Sequence, residues 1–385
     1  MRARTFCLLP SPNSSAGDRR ITEASPTKIS LNIIANRLHN QLISRPAFES
    51  PAEVVGWLGA VQAQDYAAAK WAVGLRMKDG SDAALDQALA DGTIIRTHVM
   101  RPTWHFVTPA DIRWMLNLTA LRVKAAMSYN FHRLGLDASI FKRSNLALIK
   151  ALEGSKQLTR LELVAILKQR GIKSDNLGYL HILLNAELDT IVCSGGRRGK
   201  QFTYALLDER VPLVKKLDRD ESLAELTRRY FTSHGPATVQ DYAWWSGLTI
   251  ADAKAGIELL KPRIKNEVVD GQTYWYAASM PLVKDIPHTA WLLPAYDEYM
   301  VGYTDRMVII DPQHSKMLDG FAGALLNNSL VIDGRIVGTW KRTIKKDAVA
   351  IELKLLTSLN KTQTRALDEA VERYSRFLDL PVLVT

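Results

Sequence analysis

A chain of 385 residues, 47% apolar and 23% charged, can bury sizeable cores and is long enough for two to four domains. Its formal charge of +10 points to an anionic partner such as nucleic acid, and no apolar run reaches the roughly 20 residues of a membrane span. Two cysteines, Cys7 and Cys193, lie far apart without metal-ligand spacing, which argues against a disulfide framework or a zinc site and fits a reducing cytoplasm.

Residues 1–28 are rich in Arg, Ser and Pro, and their one apolar patch, Phe6 to Leu9, is too short for a secretory core. They read as a disordered tail or a mis-set start, with a transit peptide as the weaker alternative. From Ser30 to Leu42, Leu31, Ile34, Leu38 and Leu42 mark an amphipathic helix. Ser50, Pro51 and Glu53 then carry a helix start signal, and Val54, Val55, Leu58 and Val61 continue it at helical spacing. Gln62 and Gln64 fall at its end. On a regular helix two such positions sit about 200° apart, so their amides converge only if the helix stops or distorts there. Converging amides offer donors and acceptors enough to hold one water; the bland alternative is a pair that caps the helix or faces solvent. Gly74 and the alanines 67–69 leave room for a backbone or ligand to come close.

Residues 83–90 form a third helix, ended by Asp91-Gly92, and two β-rich runs around Arg101-Pro102-Thr103 then make a hairpin. Three helices followed by a hairpin is the winged-helix order. The pattern returns from Leu158, with Thr159 and Glu162 as a capping box and a glycine-rich basic hairpin tip, residues 195–200. Arg197, Arg198 and Lys200 on that tip either approach a phosphate backbone or are merely solvated. A third copy begins near Glu221; in it the Trp244–Trp245 pair reads as a core plug rather than a base-stacking platform, and Asp270-Gly271 turns the wing. After Pro287 strands dominate, with Asp333-Gly334 as a hairpin turn, and a helix from Gln363 to Leu378 closes the chain.

Four segments then carry a resemblance: Gln62-Ala63-Gln64-Asp65, Arg101-Pro102-Thr103-Trp104-His105, Leu293 to Tyr299, and Asp333 to Trp340, with Arg228 to Thr238 fitting as well. Over residues 28 to 380 the chain resembles winged-helix DNA-binding proteins of the AlkZ/YcaQ-like DNA glycosylase superfamily. The resemblance implies an α+β fold of three tandem winged-helix units in a C-shaped arrangement, with a C-terminal β-rich region and closing helix. The expected divisions are 1–28 (tail), 29–140, 141–218 and 219–286 (the three units) and 287–385. Characterised relatives excise N-alkylated purines and unhook interstrand crosslinks through a Gln-apolar-Gln or Gln-apolar-Asp signature, and Gln62-Ala63-Gln64 matches the first form.

The resemblance therefore implies Gln62 and Gln64 as catalytic residues and a monomer acting on lesion-bearing double-stranded DNA, with no cofactor, no metal and no membrane. It also implies a cytoplasmic, nucleoid-associated location. Asp65 either supports developing positive charge or pairs with Lys70. His105 is a candidate supporting group, although a structural histidine is the commoner case. Asp297 is a further candidate; adjacent Asp297 and Glu298 would face opposite ways in a strand, which gives a two-carboxylate mechanism little support. Arg101, Arg197, Arg198, Lys200, Lys341 and Arg342 are the candidate DNA contacts, and Asp305-Arg306 reads as an ion pair or a phosphate clamp. The competing function is a non-catalytic DNA-binding regulator, which would prefer one sequence and commonly act as a dimer.

Overall fold

The computed structural model describes residues 31–214, 216–286, 288–314 and 327–384; the expected tail and Cys7 lie outside them. Local signals in the sequence set most elements. Helix α1, Ile33–Asn40, starts at Asn32, whose side chain accepts from the Ala35 amide. The helix thus starts three residues later than the expected Ser30. Helix α2, Pro51–Leu58, opens with the Ser50–Glu53 capping box. It ends at Gly59, where φ is +85°, so Val61 does not continue it. Val61–Gln62 instead form strand β1.

Helix α3, Tyr66–Gly74, is absent from the sequence reading because small residues hide its periodicity. The room expected at Gly74 is taken by protein rather than by a ligand: a Cβ there would meet the Phe377 ring at 2.3 Å. Helix α4, Asp82–Asp91, stops at the left-handed Gly92. Strands β2, Ile95–His98, and β3, Trp104–Val107, form the expected hairpin, and β1 joins it in the order β1-β3-β2. Helix α5, Ile112–Arg133, leads out of this unit.

The second unit comprises α6, Ala138–Leu152, β4, Leu158–Thr159, α7, Arg160–Gln169, α8, Asn176–Leu188, β5, Val192–Arg198, and β6, Gln201–Leu206. Its strands are ordered β4-β6-β5. Short α9, Leu207–Arg210, precedes the third unit: α10, Arg219–Ser233, α11, Val239–Ser246, α12, Ile250–Leu259, and the hairpin β7, Ile264–Val269, with β8, Gln272–Ala277. The C-terminal part holds β9, Ala290–Leu293, α13, Glu298–Val301, β10, Ser329–Ile332, β11, Arg335–Ile344, β12, Val349–Leu355, α14, Lys361–Leu378, and β13, Val382–Val384. Its curled sheet runs β13-β12-β11-β10-β9.

Helix α14 closes that sheet because one of its faces is apolar: Leu367, Ala370, Tyr374 and Phe377 are buried. The Trp71 ring lies 4.9 Å from both the Tyr374 and Phe377 rings, so α3 and α14 share one aromatic cluster. The C-terminal sheet therefore packs onto the first unit, in one core with α1 to α4. Beneath this contact, Arg76 makes a bidentate pair with Asp297, both distances being 2.8 Å and both side chains fully buried. Arg76 also donates to the Gln41 and Ala72 carbonyls, so each donor has an acceptor and the buried charge is matched. Asp297, a candidate for supporting chemistry, is thereby corrected to a structural group: its carboxylate is spent on Arg76 and the Tyr299 amide.

Breaking a buried pair leaves an uncompensated charge, so Asp297→Ala is expected to cost about 3–5 kcal/mol in urea unfolding. Arg76→Met combined with Asp297→Leu should recover much of that loss. An Asp297→Ala protein of unchanged stability would mean that the pair does not hold the sheet to α3.

Candidate active site

Gly59 sets the geometry of the site. By ending α2 it turns the chain into β1, where Val61 pairs with Phe106 and Gln62 with His105. The Ala63 amide extends the ladder by donating to the Trp104 carbonyl at 2.7 Å. The strand itself ends at Gln62 and the chain bends at Gln64, yet both side chains turn to the segment 101–105. Ala63 is wholly buried and its carbonyl accepts from Arg96 Nε at 3.0 Å. The divergence expected on a helix does not arise, because the motif is not helical.

Both amides are held by the segment 101–105. Arg101 Nη2 donates to Gln62 Oε1 at 2.9 Å, and the Trp104 amide donates to Gln64 Oε1 over a longer 3.4 Å. Each carbonyl keeps a second lone pair, and neither amide nitrogen donates to an acceptor among the described residues. Gln62 is 8% exposed while Gln64 is open to solvent, so the motif spans the boundary between core and surface. Arg101 is anchored in turn, with Nη1 donating to the Trp245 carbonyl at 2.6 Å. That contact needs α11 and α12 to turn tightly over Met100: Gly247 has φ +69°, and a Cβ on it would meet the Met100 carbonyl at 2.1 Å.

Under the motif sits Glu298, fully buried at the start of α13. Its Oε1 accepts from the Gln62 amide at 2.9 Å; Oε2 accepts from Trp245 Nε1 at 2.8 Å and from His234 Nε2 at 3.3 Å. Burial pushes the Glu298 carboxyl upward, but His234, the Arg101 charge and the Gln62 amide outweigh it and hold the group below the ordinary carboxylate range. His105 goes the other way from an ordinary histidine: burial, then the Arg101 charge, lower it to about 3. It is a neutral ring whose Nδ1–H donates to the Thr103 carbonyl at 2.9 Å, while Nε2 faces Arg101 Nη2 at 3.4 Å. In this state His105 orients Arg101 and carries no charge of its own.

Other expected site residues are placed differently. Asp65 is exposed and caps α3 through the Ala68 amide at 3.0 Å; its suggested partner Lys70 instead binds Asp82 and Asp86, at 2.6 and 2.9 Å. Arg101 is turned inward onto Gln62 rather than outward toward a phosphate. Arg197 lies 5.0 Å from the Tyr66 ring and 3.5 Å from Asp86, so much of its charge is already matched. Arg198 pairs with Glu162 at 2.8 Å on the surface, whereas Lys200 stands exposed at the hairpin tip. Lys341 is exposed on β11, and Arg342 bends back to the Tyr374 hydroxyl at 2.6 Å. Asp305 and Arg306 do not pair with each other: Asp305 accepts from the Met307 amide and Arg306 donates to the Met300 carbonyl. The tryptophan pair divides, with Trp245 in the core and Trp244 48% exposed.

Glu298, Trp245 and His234 are the site residues the sequence reading lacks. In a strand Asp297 and Glu298 would face opposite ways, but the chain there starts a short helix, and both carboxylates are buried against different partners. Among the described residues no three His, Cys, Asp or Glu gather as a metal site, and no helix is long and apolar enough to cross a membrane.

Three helix-and-hairpin units, followed by a curled sheet under a closing helix, define a winged-helix DNA-binding protein of the glycosylase superfamily. The family model described as DNA glycosylase AlkZ-like matches residues 55–377, and the chain belongs to that family. A curated relative from Streptomyces sahachiroi, described as an interstrand DNA cross-link repair glycosylase, is 24% identical over 328 residues, covering 80% of this chain and 86% of that one. The solved structure of Streptomyces sahachiroi DNA glycosylase AlkZ has the same fold, with a TM-score of 0.74 at 21% identity over 92% of this chain and 98% of that one.

The lowered His105 gives a signed pH dependence. A free histidine protonates near 6.5, so between about pH 6.5 and pH 3 the unfolded chain binds the extra proton and the folded chain does not. The stability that His105 contributes is complete above pH 6.5 and is lost as pH falls toward 3. Its ring NMR signals should stay in the neutral form from pH 8 to about pH 5; a titration midpoint near 6.5 would contradict the buried Arg101 contact.

Proposed function

We propose that this protein is a monofunctional DNA glycosylase that hydrolyses the N-glycosidic bond of purines made cationic by N-alkylation, with Gln62 and Gln64 positioning the water. The observation that carries this reading is that the side-chain carbonyls of Gln62 and Gln64 both accept from one short segment, the first from Arg101 and the second from the Trp104 amide. Fixed acceptors cost no reorganisation when a water is aimed at the sugar carbon. A neutral amide is a poor base, so the leaving base must already be activated. An N7-alkylated purine is: its positive charge weakens the glycosidic bond and lets the base depart without strong acid help. Hydrolysis adds the water oxygen to the sugar carbon, the bonding pair leaves with the purine, and one proton passes to solvent. Asp65, exposed next to Gln64, supplies a carboxylate for the oxocarbenium-like state. Glu298 acts through Gln62, whose backbone amide it holds.

The curated relative's description as a cross-link repair glycosylase supports double-stranded DNA as partner and extends the candidate substrates to unhooked crosslinks. A binding-only protein is the second reading, and one observation favours it: Gln62 is mostly buried and already engaged by Arg101, as a purely structural amide would be. Base release separates the two. On duplex containing N7-alkylguanine, followed by alkaline cleavage, the wild type should leave abasic sites, and Gln62→Ala with Gln64→Ala should lower the rate by at least about 10²-fold. Full activity in that variant removes the amides from the mechanism. Wild-type protein that binds one sequence and releases no base would favour the regulator. Unmodified purines should be untouched at any enzyme concentration that clears the cationic lesion.

A further inference from the structure

A hollow of about 380 Å³ opens between the β2–β3 and β5–β6 hairpins, and Arg96, Trp104, Arg160, Lys200, Phe202 and Tyr204 line it. Arg96 comes from β2 and is only 7% exposed. Its guanidinium is 4.3 Å from the Trp104 ring centroid and 4.5 Å from that of Phe202. Nε donates to the Ala63 carbonyl, but the two terminal nitrogens donate to no acceptor among the described residues. Arg96 is mostly buried as a residue, yet its terminal nitrogens stay open to the hollow. An acceptor arriving from outside would complete it. Glu187, the carboxylate whose field acts on Arg96, is committed to the His98 amide and ring. No Asp or Glu lines the hollow.

Three cations without a carboxylate make an anion site, and a guanidinium with two free terminal nitrogens suits a phosphate in particular. The aromatic walls suit a phosphate that carries a sugar and base over a bare hydrated ion. The hollow also shares its scaffold with the Gln motif: the Trp104 amide donates to Gln64, and Arg96 holds the carbonyl between the two glutamines.

We propose that this hollow receives a phosphodiester of the bound DNA strand and so sets the register of that strand against Gln62 and Gln64. Arg96 is the buried ligand, with Arg160 at the first position of α7 and Lys200 at the wing tip as its exposed rim. The proposal rests on the DNA-binding part of the function above and not on base release.

The test uses the full chain and a short duplex carrying a stable abasic analogue, with one uncharged methylphosphonate placed at successive positions. Wild-type binding should weaken most at one position near the analogue. Arg160→Gln with Lys200→Gln changes only exposed side chains, so it keeps the test independent of folding. It should bind more weakly, lose about 0.9 from the salt slope for each phosphate contact removed, and show a reduced penalty at that position, since Arg96 remains. Arg96→Met should remove the same penalty if it folds. An unchanged slope and an unchanged scan in the rim variant, with wild-type binding intact, overturn the hollow alone. Failure of the wild type to bind any duplex overturns the DNA reading and this site with it. Millimolar inorganic phosphate that changes tryptophan fluorescence, together with a rim variant whose scan matches the wild type, would mark a free-anion site and overturn the strand assignment.

Discussion

The buried Glu298 carboxylate is the constraint on which the rest of this molecule depends. It comes from the C-terminal part, yet its partners are the Gln62 amide of the first unit and the Trp245 and His234 side chains of the third. Placing an ion out of water is expensive unless its lone pairs are filled. Here three donors fill them, and the Arg101 charge acts in the same direction. The neighbouring Asp297 is satisfied just as fully by Arg76. Two adjacent residues thereby bind three parts of the chain, and neither can be released without stranding a charge.

This explains why an apparently simple motif needs so much structure behind it. Two glutamines orient a ligand only if their own amides cannot rotate. Gln62 is held at its backbone by Glu298 and at its side chain by Arg101; Arg101 is held by Trp245 and faced by a neutral His105. The charge of Arg101 is balanced by Glu298 within the same network, so the motif presents two neutral amides rather than a guanidinium. A positive group left free at that point would repel the lesion the proposed reaction requires.

Charge in this chain is also less available than its total of +10 implies. Arg197, Arg198 and Arg342 each contact a local partner, with Asp86, Glu162 and the Tyr374 hydroxyl as acceptors. Exposed pairs of this kind are weak and can exchange for phosphate, but Arg101 and Arg76 cannot, since both are built into the interior network. Position in the fold therefore decides which basic residues are open to a phosphate. Arg96, which no sequence pattern singled out, is mostly buried, and its terminal nitrogens meet no acceptor among the described residues.

What the sequence determined by itself was local. Ser50–Glu53, Thr159–Glu162 and Thr238–Asp241 are capping boxes in the structure, and each was visible or nearly so as a spacing of residue types. Asp270-Gly271 and Asp333-Gly334 turn their hairpins with positive φ at both residues, as such pairs favour. The repeated order of helices and wings followed from these signals, and the motif resemblance pointed to the same family. Tertiary structure decided the rest, because the deciding contacts join residues far apart in the chain. Helicity at Val61 was overruled by Gly59 and by pairing with Phe106. Helix α3 formed from a run of small residues because Trp71 and Phe377 bury each other across it. Glu298 entered the site, and Asp297 left it, through donors that lie more than 50 residues away. Spacing along a chain reports which way a backbone prefers to turn; it does not report which distant group will be there to meet the side chain.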